Sequence, residues 1–240
     1  MRAPTILVIQ HDKDAHLNEL GGPLLDAGLA IVPWFAPQDP SPVSDPNEVD
    51  GVISLGAIAG VKDEATHPWM KIERELLGKA LVNGTPTLGV CFGAQLLASV
   101  GGASVTRLPS PEIGWGSVTM DPATVEDPVL HVFGSRADVF QFHYDTFDTP
   151  DDGMILGRTG DLNQAFRIGD HAWGIQFHIE TNPGAIYSWV ATYGPEMQAG
   201  GVDLESLRTE TALRWSAYRE LCRALGEAFA EQVTGFAHRR

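Results

Sequence analysis

The residues best suited to covalent chemistry lie in Thr87-Leu88-Gly89-Val90-Cys91-Phe92-Gly93-Ala94-Gln95. Thr87 to Val90 predicts a short apolar strand, and the helix-forming run from Ala94 to Val100 follows with no loop between. A cysteine at such a junction is forced onto a sharp strand-to-helix turn that raises its sulfur above the sheet edge. Gly89 and Gly93 flank it at i−2 and i+2, where side chains would crowd the turn. The unpaired N–H groups and dipole of the following helix favour a thiolate over a thiol. A buried structural cysteine at a strand end is the alternative that the spacing leaves open.

A nucleophilic cysteine needs a base, and the chain holds eight histidines. His11 and His16 follow the first predicted strand and could stand at the carboxyl edge of a sheet. His67 precedes Pro68 at the approach to a helix, His131 and His171 fall near turns, and His238 is in a charged tail. His143 and His178 each close a strand that runs into polar sequence. His178 is set apart by Glu180 two positions on. If Phe177 ends a strand, the strand period of two projects both side chains the same way. Glu180 would then hold the far nitrogen of the imidazole and stabilise it as imidazolium. A solvated strand end fits the same spacing. Charge developing on a carbonyl oxygen would need backbone N–H groups. Phe92 offers one just after Cys91, and Gly56 and Ala57 offer another at the end of a preceding strand.

These groups need a scaffold that brings three distant stretches to one edge. Thr5–Gln10, Leu29–Trp34, Gly51–Leu55 and Thr87–Val90 read as strands, alternating with helices over His16–Ala27, Pro68–Ala80 and Ala94–Val100. That alternation predicts a parallel sheet covered on both faces, with ligands at the carboxyl ends of its strands. The proline-rich segment 36–47 predicts an irregular loop. Beyond residue 100 the texture becomes short strands near Val105 and over Ile113–Met120, Val139–Phe142, Met154–Arg158, Gln164–Ile168 and Trp173–Phe177. Asp170-His171 predicts a hairpin turn, so this half is expected to be antiparallel or mixed. Gly194-Pro195 and Gly200-Gly201 punctuate a link to a final helix over Leu204–Val233. Its apolar stripe runs through Leu207, Trp215, Tyr218, Cys222, Leu225, Phe229 and Val233, which assigns Cys222 to packing.

Composition narrows the setting. With 43% hydrophobic residues among 240, the chain can bury a sizeable core. Only two cysteines argue against a disulfide scaffold and fit a reducing, cytoplasmic compartment. No apolar run approaches the roughly 20 residues of a membrane span, and the N-terminus lacks the basic and apolar regions of a signal peptide. A formal net charge of −15 disfavours nucleic acid and anionic membranes as partners.

Gly89-Val90-Cys91-Phe92-Gly93-Ala94-Gln95 together with His178-Ile179-Glu180 resembles the class I, triad-type glutamine amidotransferases, above all the glutaminase domain of GMP synthase and its free-standing relatives. Asp50-Gly51 through Leu55-Gly56, Pro68-Trp69, Pro86 to Ala98, Glu112-Ile113-Gly114-Trp115, His143-Tyr144-Asp145-Thr146-Phe147, Gln164-Ala165-Phe166-Arg167 and Trp173 to His178 agree, so the likeness covers about residues 5–190. The resemblance implies an α/β, flavodoxin-like three-layer sandwich around a mainly parallel sheet, with added antiparallel strands. It divides the chain into a catalytic domain over 1–195 and a helical extension over 196–240, packed on that domain or exposed at an oligomer surface. It implies Cys91 as nucleophile, His178 as base and then acid, and Glu180 as the orienting carboxylate. Gly56, Ala57 and Phe92 would supply the oxyanion amides. Gln95 would lie in the substrate pocket, with His143, Tyr144 and Asp145 near its rim.

The implied reaction is hydrolysis of a glutamine side-chain amide through a thioester, with no cofactor and no metal. The expected partners are glutamine or another γ-glutamyl amide, a separate synthetase that takes the ammonia, and a second copy of the chain. A stand-alone hydrolase or peptidase for another γ-glutamyl amide, and a non-catalytic relative, are the alternatives. Two departures from the family pattern stand out: Ile179 replaces the proline between histidine and glutamate, and Ala57-Ile58 replaces Gly-Pro in the oxyanion loop. If that loop required a positive φ or a peptide flip, Ala57 would make it costlier by about 1 kcal/mol. The expectation is then of an enzyme slow until a synthetase closes the pocket.

Overall fold

Alternation of apolar residues sets the architecture. In the computed structural model, which describes residues 2–240, Ile6 and Val8 face one apolar cluster while Leu7 and Ile9 face the other. A strand buried on both faces must read this way, because successive side chains point to opposite sides. The described residues form nine strands in one sheet. They are β1 (Thr5–Gln10), β2 (Ala30–Phe35), β3 (Gly51–Ser54), β4 (Thr87–Val90), β5 (Val105–Met120), β6 (Arg136–Phe147), β7 (Gly153–Thr159), β8 (Leu162–Ile168) and β9 (Ala172–Ile175). The order is β2-β1-β3-β4-β9-β8-β7-β5-β6. The first five in that order are parallel, in the flavodoxin-like arrangement, and the rest pair antiparallel.

Besides three short 3₁₀ helices, the described chain has five α-helices: α1 (Asn18–Asp26), α2 (Trp69–Asn83), α3 (Phe92–Val100), α4 (Pro183–Ala199) and α5 (Leu204–Arg239). Side chains of α2 and α3 fill one face of the sheet, and those of α1, α4 and α5 fill the other. The stripe on α5 is buried as its spacing predicts, with Trp215 half-buried at its edge. Each fully buried side chain such as Leu225, Phe229 or Val233 contributes about 1.5–3 kcal/mol. α5 lies so close to β3 that a Cβ on Gly51 would stand 2.6 Å from a Val233 methyl.

Three expectations need correction. Gly194-Pro195 is not a linker. It lies inside α4, so the division placed at 195 falls within a continuous helix. Asn182 caps α4 by accepting from the Ala185 N–H at 2.9 Å, and Pro183 occupies the first turn, where a missing N–H costs nothing. The antiparallel strands β5 and β6 are longer than their apolar cores, because a register shift between Arg107 and Glu112 absorbs Pro109 and Pro111. Finally, β9 ends at Ile175, and His178 lies beyond it in a turn.

Backbone packs closely against backbone at the β4–α3 junction. A Cβ on Gly93 would lie 2.1 Å from the Ser54 carbonyl oxygen, and one on Gly89 would lie 2.6 Å from the Gly93 backbone. Neither neighbour is a flexible side-chain end, so the backbone itself would have to move. Gly93→Ala is expected to lose about 3 kcal/mol or more of stability. Urea unfolding monitored by tryptophan fluorescence checks this, with Gly22→Ala as the comparison, since a Cβ there would meet only the end of the Arg223 side chain at 3.8 Å.

Candidate active site

Cys91 ends β4 and precedes the first residue of α3. It holds φ 52° and ψ −108°, one of only three positive-φ non-glycine residues among those described. Such strain persists only where packing over-determines it. Here β4 is paired on both sides, with β3 and β9, and the Cys91 N–H donates to Ile175 O at 2.8 Å. Phe92 is the first helical residue, so its N–H has no acceptor within α3. The sulfur lies 3.8 Å from the Phe142 carbonyl oxygen on β6.

His178 reaches the same carbonyl, with Nε2 3.4 Å from Phe142 O. Its Nδ1 is 2.7 Å from Glu180 Oε1, and both side chains are buried. The pair meets across a turn rather than along a strand. The His178 N–H donates to Phe140 O at 2.9 Å and the Thr181 N–H to His178 O at 3.3 Å, which holds the turn against β6. Burial alone would lower the His178 pKa, but the Glu180 carboxylate and the Cys91 sulfur outweigh it and hold the ring well above its ordinary value. The charged ring suits its surroundings: with Nδ1–H given to Glu180, an Nε2 facing a carbonyl is satisfied only as a second donor. Ile179, in place of the family's proline, is fully buried and leaves both flanking side chains in place.

Cys91 and His178 open onto a pocket also lined by Gly56, Ala57, Gln95, His143, Tyr144 and Asp145, so the expected residues are brought together. Ala57 has no positive φ, and its Cβ therefore meets no left-handed strain. Gln95 commits its Nε2 to Gln176 Oε1 at 3.2 Å and to Asp145 O at 3.3 Å. His143 is more enclosed than a rim residue. Its Nδ1 lies 2.9 Å from Asp145 O and its Nε2 is 3.0 Å from Glu112 Oε2, so both ring nitrogens face protein groups. The Tyr144 hydroxyl donates to Glu196 Oε1 at 2.8 Å, and burial together with that carboxylate pushes its pKa up to about 12.

Several lining groups escaped the sequence reading. Trp189, Tyr193 and Glu196 come from α4, and the Trp189 ring lies 4.8 Å from that of His178. The cap-and-proline pair Asn182-Pro183 was the signal for that helix. Arg107, from the bulge of β5, lies 3.6 Å from Asp145 and 4.4 Å above the Tyr144 ring. Tyr218 on α5 donates to His178 O at 2.8 Å, tying the last helix to the turn that carries the imidazole. A carbonyl acceptor leaves no mark in a side-chain pattern, so Phe142 O could not be anticipated.

The match to known proteins agrees with this geometry. A model of the glutamine amidotransferase class-I family matches residues 24–187, and the chain belongs to that family. It is 36% identical over 140 residues to a GMP synthase of Porphyromonas gingivalis, covering 57% of this chain and 26% of that protein. It is 30% identical over 157 residues to a gamma-glutamyl-L-1-hydroxyisopropylamide hydrolase of a Pseudomonas species, covering 60% of this chain and 52% of that one. The matches thus span about half or less of these curated relatives. The structure of a glutamine amidotransferase from Thermotoga maritima superposes with a TM-score of 0.85 at 29% identity, covering 96% of this chain and 100% of that one.

A raised folded-state pKa for His178 means that the folded ring binds its proton more tightly than the unfolded one. The resulting stability is fully present below about pH 6.5 and is lost as pH rises through the raised value. Glu180→Gln removes the carboxylate that raises it. The stability advantage of the native protein over this variant is expected to be largest on the acid side and to shrink toward alkaline pH. Urea denaturation across pH measures it, and the His178 ring resonance should titrate at lower pH in the variant.

Proposed function

We propose that the protein hydrolyses the γ-carboxamide of glutamine, or of a closely related γ-glutamyl amide, through a thioester on Cys91. The observation that carries this reading is a strained, pocket-facing Cys91 beside a buried His178–Glu180 pair. The Cys91 sulfur attacks the side-chain carbonyl as the thiolate, its proton already held on the charged His178 ring. The N–H groups of Phe92 and Ala57 receive the negative charge on its oxygen. As the C–N bond breaks, His178 returns the proton to the departing nitrogen, which leaves as ammonia. Water, deprotonated by the same ring, then attacks the γ-glutamyl thioester, releasing glutamate and restoring the thiolate beside the protonated ring. Glu180 orients the ring and stabilises its charged form in both halves. At the mouth, Asp145 and Arg107 present opposite charges suited to an α-ammonium and an α-carboxylate. Gln95 Oε1 is the free acceptor at the pocket wall, since its Nε2 is already engaged.

The fate of the nitrogen defines two versions of this reading. In the first, ammonia passes to an acceptor held by a synthetase that docks over the sheet edge, in keeping with the likeness to GMP synthases. In the second, the chain itself hydrolyses a substituted γ-glutamyl amide. That version draws on the likeness to the Pseudomonas hydrolase and on Ile58, Trp189 and Tyr193, apolar and aromatic groups that line the same pocket and suit a larger leaving amine.

Cys91→Ala is expected to fold normally and to lose about 10⁴-fold or more in turnover, His178→Ala to lose nearly as much, and Glu180→Gln to lose less. Ammonia or amine release from glutamine and a panel of γ-glutamyl amides, with and without a candidate synthetase, measures this and separates the two versions. Undiminished turnover in Cys91→Ala overturns the reading.

A further inference from the structure

Behind the loop that follows β3 lies a second histidine–carboxylate pair, outside the chemistry assigned to His178. His11, the residue after β1, is buried, with Nε2 2.8 Å from Glu73 Oε2 on α2. Ser54 Oγ donates to the other oxygen of Glu73, Oε1, at 2.6 Å. The His11 ring is wedged between Trp69 and Phe92, with centroids 4.7 and 5.0 Å away. Its remaining nitrogen, Nδ1, lies 3.2 Å from the carbonyl oxygen of Gly56. A carbonyl can only accept, so Nδ1 carries a hydrogen and donates it. Burial by itself would strip the charge from this ring, but Glu73 and then the Gly56 carbonyl reverse that and raise its pKa.

Resting on the reading under Proposed function, we propose that His11 is a positioning residue: braced by Glu73, it fixes the Gly56–Ala57 peptide so that the Ala57 N–H faces Cys91. In a planar trans peptide the C=O and the following N–H point in opposite directions, and no cis bond occurs among the described residues. The Gly56 oxygen points to His11, which lies outside the pocket lining, while Gly56 and Ala57 belong to that lining. The Cα of Gly56 sits against the catalytic ring, since a Cβ there would be 3.2 Å from His178 Cε1. The Ala57 N–H has no acceptor within the described chain, as expected of a donor kept for a ligand. The next amide is pinned as well, because the Ile58 N–H donates to Asp12 Oδ2 at 2.7 Å. The loop is therefore held on both sides of Ala57, by His11 before it and Asp12 after it. This also accounts for an alanine at position 57. A peptide locked at negative φ needs no glycine, and the flip that alanine would hinder is not required.

The test uses His11→Phe, His11→Asn and Glu73→Gln, each checked by thermal unfolding, assayed on the best γ-glutamyl amide and crystallised. His11→Phe fills the site without a donor and is expected to lower kcat about 10²-fold while KM stays within about threefold. His11→Asn can present its amide N–H where the ring Nδ1–H was, so it should recover to within about tenfold of the native kcat. Glu73→Gln should fall between them, and it carries the kinetic test if a His11 variant does not fold. In crystals of His11→Phe the Gly56–Ala57 peptide should be rotated. Native kcat in His11→Phe, equal losses in the Phe and Asn variants, or an unrotated peptide would each overturn the proposal. Absence of turnover in the native protein would instead count against the proposed function, and the crystallographic arm would still decide the peptide lock.

Discussion

The whole arrangement depends on one backbone constraint, the turn at Cys91. A non-glycine residue at φ 52° costs about 1–3 kcal/mol, and nothing local repays it. The cost is met by close packing on three sides. The Gly93 backbone presses on Ser54, Gly89 presses on Gly93, and the Cys91 N–H is tied to β9. These contacts need β3, β4 and β9 to be neighbours in register, so the strand order of the sheet and the placement of the sulfur are a single condition. The same condition leaves the first N–H of α3 unpaired beside the sulfur, where the proposed reaction would place charge on a substrate oxygen.

Around that turn the protein buries polar groups that a purely structural core would avoid. His178 and Glu180 lie on the α5 side, and His11, Glu73 and Ser54 lie under the loop on the other. Buried ion pairs rarely repay their desolvation in stability, so two such pairs flanking one thiol point to a cost accepted for chemistry. The C-terminal helix takes part in this as well. Its apolar stripe anchors α5 on the sheet, and Tyr218 within that stripe fixes the backbone of His178. A residue that reads as packing in the sequence therefore also supports the site.

How legible each feature was in the sequence follows from how local its cause is. The parallel strands, the elbow and the His178–Glu180 pair rest on patterns a few residues long, and all were readable. The meeting of His178 with Glu180 was right for a different reason, a turn instead of a strand period. α4 was hidden because Gly184, Gly194 and Pro195 carry loop signals that tertiary packing overrides, and Trp189, Tyr193 and Glu196 were lost with it. The bulge in β5 was hidden in the same way by Pro109 and Pro111. His11 and Glu73 are 62 positions apart, and only the sheet brings one beside the other.

The central claim is that Cys91, activated by His178, is the nucleophile for a γ-glutamyl carbonyl in this pocket. Intact-protein mass spectrometry after incubation with a glutamine-shaped chloroketone tests it most directly. The account predicts a single adduct that maps to Cys91, is absent in Cys91→Ala, forms much more slowly in His178→Ala, and is suppressed by excess glutamine. An adduct on Cys222, or labelling of Cys91 that neither glutamine nor the His178 variant affects, would contradict it.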